Sequence, residues 1–335
     1  MSSHITNSDL SPVETALCGG LAGMIARFVI SPLDVVKIRL QVESVPRSGV
    51  SQAATAKDAK YRGVIQSFRL IAAEEGVKGF FKGNMSAVYL YMTYGVSQLF
   101  TYHHLDNLMS HTPLSSSPRA FVCGMLAGSF ATTATYPFDL LRTRFAIQGD
   151  TKIYTSVGYA IGDIYKNEGV RGFYRGLWPS LTQIMPYMGL MFLSYDLLCT
   201  SFQWLRDEGY VSSNNKLSHT ALAGSVAGAL SKTGVYPLDV IRKRLQVQGP
   251  HRNGYIISSI PQYARTSIFS CMTTVVKTEG VGALYKGLIP GLLKAAPASA
   301  AYFLVFEFSK GVLIKLKASH VTDITSSSNN QQIIA

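Results

Sequence analysis

The sequence predicts an all-α membrane protein: six transmembrane helices in three tandem repeats of about 100 residues, related by pseudo-threefold symmetry, each repeat carrying a short amphipathic helix at the membrane surface. Three observations predict it. Hydrophobic residues make up 47% of the 335-residue chain and charged residues 15%, with mean hydropathy +0.17, which is greasy for a protein dissolved in water. The stretch "PLDVVKIR" at Pro32 recurs as "PFDLLRTR" at Pro137 and "PLDVIRKR" at Pro237. A second motif follows each copy, "EGVKGFFKG" from Glu75, "EGVRGFYRG" from Glu168 and "EGVGALYKG" from Glu279.

The repeats run over residues 12–108, 116–205 and 215–316, with 1–11 and 317–335 expected to be flexible termini. Each begins with an apolar stretch before its proline: "ALCGGLAGMIARFVI", "AFVCGMLAGSFATTATY" and "ALAGSVAGALSKTGVY" carry only Arg27 and Lys232 as charges. Gly19 and Gly23, Gly124 and Gly128, Gly224 and Gly228 stand at fixed offsets as small-xxx-small pairs, which let membrane helices approach closely. A polar segment follows, then "VIQSFRLIAAEEG", "VGYAIGDIYKNEG" or "SIFSCMTTVVKTEG", whose apolar residues recur at helical spacing. Each repeat ends in a second apolar stretch, at 84–102, 177–195 and 288–306, close to the roughly 20 residues needed to cross a bilayer. Lys294 is the one charge in these three.

The net charge of +12 invites a nucleic-acid reading, but the cations are spread along the chain without a recognition-helix pattern, zinc-ligand spacing or aromatic RNA-binding motif. A basic protein among anionic lipids or anionic substrates fits better. Cys18, Cys123, Cys199 and Cys271 stand far apart, so neither a metal site nor a disulfide framework is expected. The first residues, "MSSHITNSDLSPVE", lack the apolar core of a secretory signal and the arginines of a transit peptide, so any address is expected to be internal. No Walker loop, nucleophile elbow or metal-ligand cluster appears, and an enzyme is not expected.

Asp34 and Lys37, Asp139 and Arg142, Asp239 and Arg242 are each three residues apart and share a helix face. A local surface pair would be worth roughly 0.2 to 0.5 kcal/mol, and that reading leaves the three copies beside three prolines unexplained. Charges beside a membrane span are costly unless they face water or each other, and they mark a pathway. With the repeats around an axis along the membrane normal, the acid of one helix meets the base of the next and closes a ring at one end of a central cavity, a gate. Pro32, Pro137 and Pro237 are expected to bend the helices toward that axis.

At these residues the sequence resembles the mitochondrial carrier family, whose signature joins Pro-x-Asp/Glu-x-x-Lys/Arg to a downstream Glu-Gly-x-x-x-aromatic-Lys/Arg-Gly pattern in three repeats; the match covers about residues 12 to 315. The resemblance implies a multi-pass transporter of the mitochondrial inner membrane, with the proline motifs and amphipathic helices on the matrix side and alternating access between two gates. It implies membrane lipid, cardiolipin among it, as a partner, a small phosphorylated anion as substrate, no cofactor and a functional monomer. It places a glutamine brace below each matrix pair, here Gln41 and Gln246, with Ala146 in the second repeat. For the cytoplasmic gate it selects Asp196, Glu307 and Lys310; in the first repeat His103 and Asp106 stand in reversed sense, and Cys199 takes the basic place after Asp196.

Arg27 lies seven residues before Asp34 and Lys232 seven before Asp239, so each shares its aspartate's face about 10 Å deeper in the helix. Leu90, Gln183 and Lys294 stand seven residues beyond the motif glycines, where the family carries substrate contacts. Arg27, Lys232 and Lys294 together suit a phosphorylated anion. Gln183 with Ile184, Met185 and Met188 offers a face for a ring, although a methionine stripe serves packing equally well. A nucleotide or coenzyme A is the competing cargo, and a transport-inactive membrane adaptor the competing class.

Overall fold

The computed structural model describes residues 12–44, 59–110, 116–149, 152–207, 216–257, 261 and 268–333. Among these residues every regular element is helical. In chain order they are α1 (Pro12–Val42), α2 (Val64–Gly79), α3 (Asn84–Met109), α4 (Ser116–Ala146), α5 (Val157–Glu168), α6 (Val170–Phe173), α7 (Leu177–Thr182), α8 (Ile184–Asp207), α9 (Lys216–Gln246), α10 (Ile268–Glu279), α11 (Leu288–Leu293) and α12 (Ala295–Ile333), with 3₁₀ turns at Pro250–Gly254 and Val281–Tyr285. The long helices fall where the sequence puts its apolar stretches, and α2, α5 and α10 where it puts the amphipathic ones. Residues 1–11 lie outside the described residues. Helix α12 continues to Ile333, through the polar stretch expected to be a flexible terminus, since extending an existing helix adds one hydrogen bond per residue fixed.

Two compact units make up the chain. The smaller joins α1 up to Ser31 with the chain from Leu293 onward. In it an apolar cavity of about 690 Å³ is lined by Cys18, Leu21 and Ile25 of α1 and by Leu304, Phe308 and Val312 of α12. Gly19 keeps this pairing close: a Cβ there would stand 3.3 Å from the Tyr302 hydroxyl.

The larger unit, Pro32–Leu292, holds the three proline motifs and everything between them. Helix α3 packs along α4, and α8 along α9. At the proline-motif end of this unit Val36, Ile38, Leu140, Leu141, Ile71 and Ile164 form an apolar core, and Ile241 packs with Cys271, Val275 and Leu284 in a second. The amphipathic helices feed these cores with one face each: Ile71 of α2, Ala160 and Ile164 of α5, Cys271 and Val275 of α10. Ser156 caps α5 by accepting the Tyr159 N–H at 3.1 Å.

Burial runs opposite to that of a water-soluble protein. Leu99 and Leu304 are each 73% exposed, while Arg39 and Arg244 are 0% exposed. Large apolar side chains along α3, α8 and α12 face outward, and charges sit inside, which is the arrangement a hydrocarbon solvent selects. By composition alone one helical stretch among the described residues, Val281–Ile314, is long and apolar enough to cross a membrane, at mean hydropathy 1.4. The other long helices are diluted by glycine, serine, threonine and the buried charges.

Pro32, Pro137 and Pro237 sit inside α1, α4 and α9, whose helical course runs through them. The other apolar stretches do not all run through. Helix α3 is continuous, but α7 gives way to α8 at Gln183 and α11 to α12 at Lys294. Pro186 and Pro297, three residues on, cannot donate to the carbonyls of Thr182 and Leu293 and crowd them. In α3 the matching position is Thr93, whose hydroxyl instead donates to Tyr89 O at 2.6 Å.

Candidate functional site

The proline motifs bring their charges together between repeats. Arg142 Nη2 stands 2.6 Å from Asp34 Oδ2, Arg242 Nη2 2.9 Å from Asp139 Oδ2, and Lys37 Nζ 2.7 Å from Asp239 Oδ2. Each acid therefore meets the base of the next helix, and the three pairs close a cycle. Asp34, Lys37, Asp139, Arg142 and Asp239 are at most 9% exposed, and the Arg242 side chain is 16% exposed. A buried ion pair loses much of its Coulomb gain to desolvation, so this ring is weak as an ornament of stability, but breaking one partner away is costly.

Glutamines brace two of the three pairs. Gln41 Nε2 donates to Asp239 Oδ2 at 3.2 Å and to the Tyr236 hydroxyl at 3.0 Å. Gln246 Nε2 donates to Asp139 and, at 3.1 Å, to the Tyr136 hydroxyl. Ala146, at the matching place in repeat two, has no side-chain donor. The tyrosine hydroxyls pass the link on to the Glu-Gly motifs, Tyr136 donating to Arg175 O at 2.9 Å and Tyr236 to Lys286 O at 3.1 Å.

Sequence reasoning missed a second set of charges. The last arginine of each proline motif grips the glutamate of its own repeat: Arg39 with Glu75, Arg144 with Glu168, and Arg244 with Glu279, each through both carboxylate oxygens. The same guanidinium reaches the carbonyls that end the next repeat's helix. Arg39 Nε donates to Ala146 O at 2.9 Å, Arg144 Nε to Gln246 O at 3.1 Å and Arg244 Nε to Gln41 O at 3.1 Å. Each glutamate also holds the basic residue of its own motif, Lys82, Arg175 or Lys286. The signal was present: all three quoted motifs end in arginine, and all three downstream motifs begin with glutamate.

The motif glycines make this join possible. Gly83, Gly176 and Gly287 have φ near +80°, and a Cβ on them would stand 2.6, 2.9 and 3.0 Å from the carbonyl oxygens of Arg142, Arg242 and Lys37. Only glycine takes that left-handed turn with backbone pressed against the ring's own basic residues. Outside the long helices, Glu75 and Glu279 titrate below the ordinary glutamate value: burial pushes them up, but the hydrogen bonds from their arginine and lysine partners outweigh it. Burial pushes the Tyr61 hydroxyl, which accepts from Arg39 at 2.7 Å, up to about 12.

Lys243, also absent from the sequence assignment, enters the ring from α9. Its Nζ lies 3.1 and 3.0 Å from the two Asp139 oxygens, 2.9 Å from Thr143 Oγ1 and 3.0 Å from Gln246 Oε1. The matching residues in the other repeats are Ile38 and Thr143, so no threefold signal marked it.

The residues assigned to substrate fall in both units. Lys232 reaches back toward the ring, 3.4 Å from Asp239 Oδ2. Gln183 sits at the α7–α8 break, and its Oε1 is buried with no hydrogen-bond partner among the described residues. Ile184 begins α8, and Leu90 lies half-buried in α3. In the smaller unit Arg27 is buried on α1 and Lys294 half-buried at the α11–α12 break. Asp196 is exposed on α8; in the smaller unit Glu307 is exposed and Lys310 half-buried on α12. Asp106 of α3 pairs with Arg119 of α4 at 3.0 Å, a partner not foreseen from the sequence.

Comparison with known proteins agrees with this threefold design. A family model described as mitochondrial carrier protein matches residues 8–113, 114–204 and 213–317. Among curated proteins the chain is similar to mitochondrial thiamine pyrophosphate carrier 1 of Aspergillus terreus, 44% identical over 296 residues that span 88% of this chain and 90% of the relative. It is 43% identical over 309 residues to the protein of that name from Aspergillus oryzae, covering 91% and 95% of the two chains. For the Pyricularia oryzae protein the figures are 42% over 307 residues, 89% and 91%. Three matched repeats, each contributing one acid and one base to a shared ring, place the chain in the mitochondrial carrier family.

Proposed function

We propose that this protein is a multi-pass carrier of the mitochondrial inner membrane that brings thiamine pyrophosphate into the matrix, by exchange, through a central cavity opened alternately to either side. The reading follows from family membership and from relatives named for that cargo over nine-tenths of their length. Six membrane spans correspond to α1, α3, α4, α7–α8, α9 and α11–α12, and the outward apolar side chains meet lipid, cardiolipin included.

The observation that carries the mechanism is the closed cycle of inter-repeat ion pairs. With all three made, the proline-motif end is shut; opening it toward the matrix requires each aspartate to leave its partner. That separation is costly, and substrate binding supplies the difference through contacts made best in the state between the two ends. The pyrophosphate's charge is received by Arg27, Lys232 and Lys294, an assignment carried by their helical register. Lys232, 3.4 Å from Asp239, links the events: a phosphate that draws its ammonium away weakens the Lys37–Asp239 seam. The buried Gln183 Oε1 awaits a donor, which the amino group of a pyrimidine provides. Leu90 and Ile184 give apolar contact. Asp196, Glu307 and Lys310 form the opposing cytoplasmic gate, and the carrier acts as a monomer.

Uptake of labelled thiamine pyrophosphate into liposomes holding the purified full-length protein tests this reading. Saturable uptake that needs internal substrate is expected, and Lys294→Ala abolishes it while leaving the unfolding midpoint in place. Robust uptake of adenine nucleotides with none of thiamine pyrophosphate would replace the cargo; no uptake of any phosphorylated anion would replace the function with that of an adaptor.

A further inference from the structure

We propose that Lys243 is a further gating residue, which makes the seam between repeats two and three the firmest of the matrix ring, so that the ring opens unequally and parts first between repeats one and two. The inference rests on reading the ring as a gate. Within that reading it concerns one cation that no repeat pattern calls for.

The Lys243 ammonium is an organised node. Three N–H donors face four acceptors at 2.9 to 3.1 Å: both Asp139 oxygens, Thr143 Oγ1 and Gln246 Oε1. Two of the acceptor residues belong to repeat two and one to repeat three, so the lysine crosses the seam. Asp139 consequently receives Arg242, Lys243 and Gln246, all from α9. A buried carboxylate bound by two cations and an amide must shed all three before repeats two and three separate.

The same seam is fastened again beyond the ring. The segment following α9 crosses to repeat two, where Ile256 N–H donates to Ile147 O at 3.2 Å and His251 Nε2 meets Asp163 Oδ2 at 2.9 Å. Gly249 lies so close to Glu168 that a Cβ would stand 2.9 Å from its Oε1. At the seam between repeats one and two Lys82 Nζ donates to Gln148 O at 3.0 Å and Gly149 O at 2.8 Å, but the positions that brace the ring itself are depleted. Ala146 replaces the glutamine brace, Ser31 replaces the tyrosine before the proline, and Thr143, the residue matching Lys243, carries no charge.

Lys243 also has somewhere to go. Asp239 precedes it by four residues on α9, hence on the same face, and once Lys37 has left Asp239 the ammonium can turn to its own helix. In the first two repeats the fourth residue after the aspartate is Ile38 or Thr143, and no such transfer exists. The device is therefore a single asymmetric latch in an otherwise threefold ring.

Two reporter thiols test it. Ser180 and Ala87 occupy the same place, four residues past their left-handed glycines, and each is 1% exposed. Ser180→Cys and Ala87→Cys proteins, full length and in lipid nanodiscs, are treated with a water-soluble maleimide, and modification at each site is followed by peptide mass spectrometry. Lys243→Met is expected to speed modification at position 180 about tenfold, the size of one lost charge-assisted hydrogen bond, and to leave position 87 unchanged. Ala146→Gln is expected to slow position 87 alone. Equal acceleration at both positions, or none at either, overturns the proposal. Arg242→Met separates the two layers of the argument: if it frees position 180 and Lys243→Met does not, the gate stands and the latch falls; if neither does, the gate reading itself falls.

Discussion

Replacing Glu168 by glutamine removes one charge from a site built around a fully enclosed cation. Arg144 is 1% exposed, and all five of its N–H groups are engaged. Nη1 and Nη2 take the Glu168 oxygens at 2.6 and 3.0 Å, Nε takes Gln246 O at 3.1 Å, and the remaining two reach the Tyr154 hydroxyl at 3.3 Å and Gln248 O at 3.0 Å. Glu168→Gln keeps the shape but leaves the guanidinium buried without its counter-charge, a change that costs about 3 to 5 kcal/mol. Removing Arg175, the other cation on that carboxylate, is a milder event, because its side chain is 20% exposed and the site retains Arg144; about 1 kcal/mol or less is expected. The assay is thermal unfolding of the purified protein in detergent, followed by a thiol-reactive dye that reports exposure of Cys123 and Cys271, both buried in the folded chain. Glu168→Gln should lower the midpoint by about 5 °C or more, Arg175→Gln by much less. Arg144→Met combined with Glu168→Met should regain most of the loss, since the enclosed guanidinium leaves with its counter-charge and the remaining cation, Arg175, has its side chain 20% exposed. A Glu168→Gln midpoint no lower than that of Arg175→Gln would refute the argument, as would a double variant worse than the single one.

Three further outcomes follow from the same geometry. Asp34→Arg should abolish exchange in liposomes, and adding Arg142→Asp should restore part of it, because the pair is reformed with its sense reversed across the same seam. Gly176→Ala forces a side chain into φ +81° with its Cβ 2.9 Å from Arg242 O, and should cost about 1 to 2 kcal/mol or more in an unfolding assay, against little for Gly162→Ala, where nothing lies within 4 Å. Acid should loosen the layer beneath the ring. Glu75 and Glu279 are held below the ordinary glutamate value, so their contribution is complete above it and is lost as pH falls through their lowered values; the unfolding midpoint should decline below about pH 4.5. Glu43, raised by burial, works in the opposite sense: it adds stability as pH falls through its raised value, and Glu43→Gln should remove that gain.

Threefold recurrence made the ring legible in the chain but not the arginine–glutamate grips beneath it, which recur as often and need the fold to show which glutamate each arginine meets. The proline motifs and their acids and bases recur at one offset, so both their helical setting and their meeting across repeats follow from symmetry and the cost of solitary charge near lipid. The breaks at Gln183 and Lys294 were visible as Pro186 and Pro297, yet both apolar stretches were long enough to read as single spans. Their absence from α3 depends on Thr93, a residue without sequence signature. Lys243 was hidden for a different reason: a lysine beside an arginine at a helix end looks like a solvated charge until the neighbouring helix supplies Asp139 and Thr143. Arg119 was overlooked because it pairs across α3 and α4 rather than along one motif.

The arginine handovers have a consequence for how the chain is assembled. Arg39 ends on repeat two, Arg144 on repeat three and Arg244 back on repeat one, so the series has no first or last member. A nascent chain that has made only two repeats leaves the Arg144 guanidinium without the carbonyl meant for it, and the carbonyl of Gln41 without its guanidinium, until α9 is synthesised. Cyclic reordering of the repeats keeps every handover, whereas excising one opens two of them at once, and the smallest unit able to close holds all three repeats.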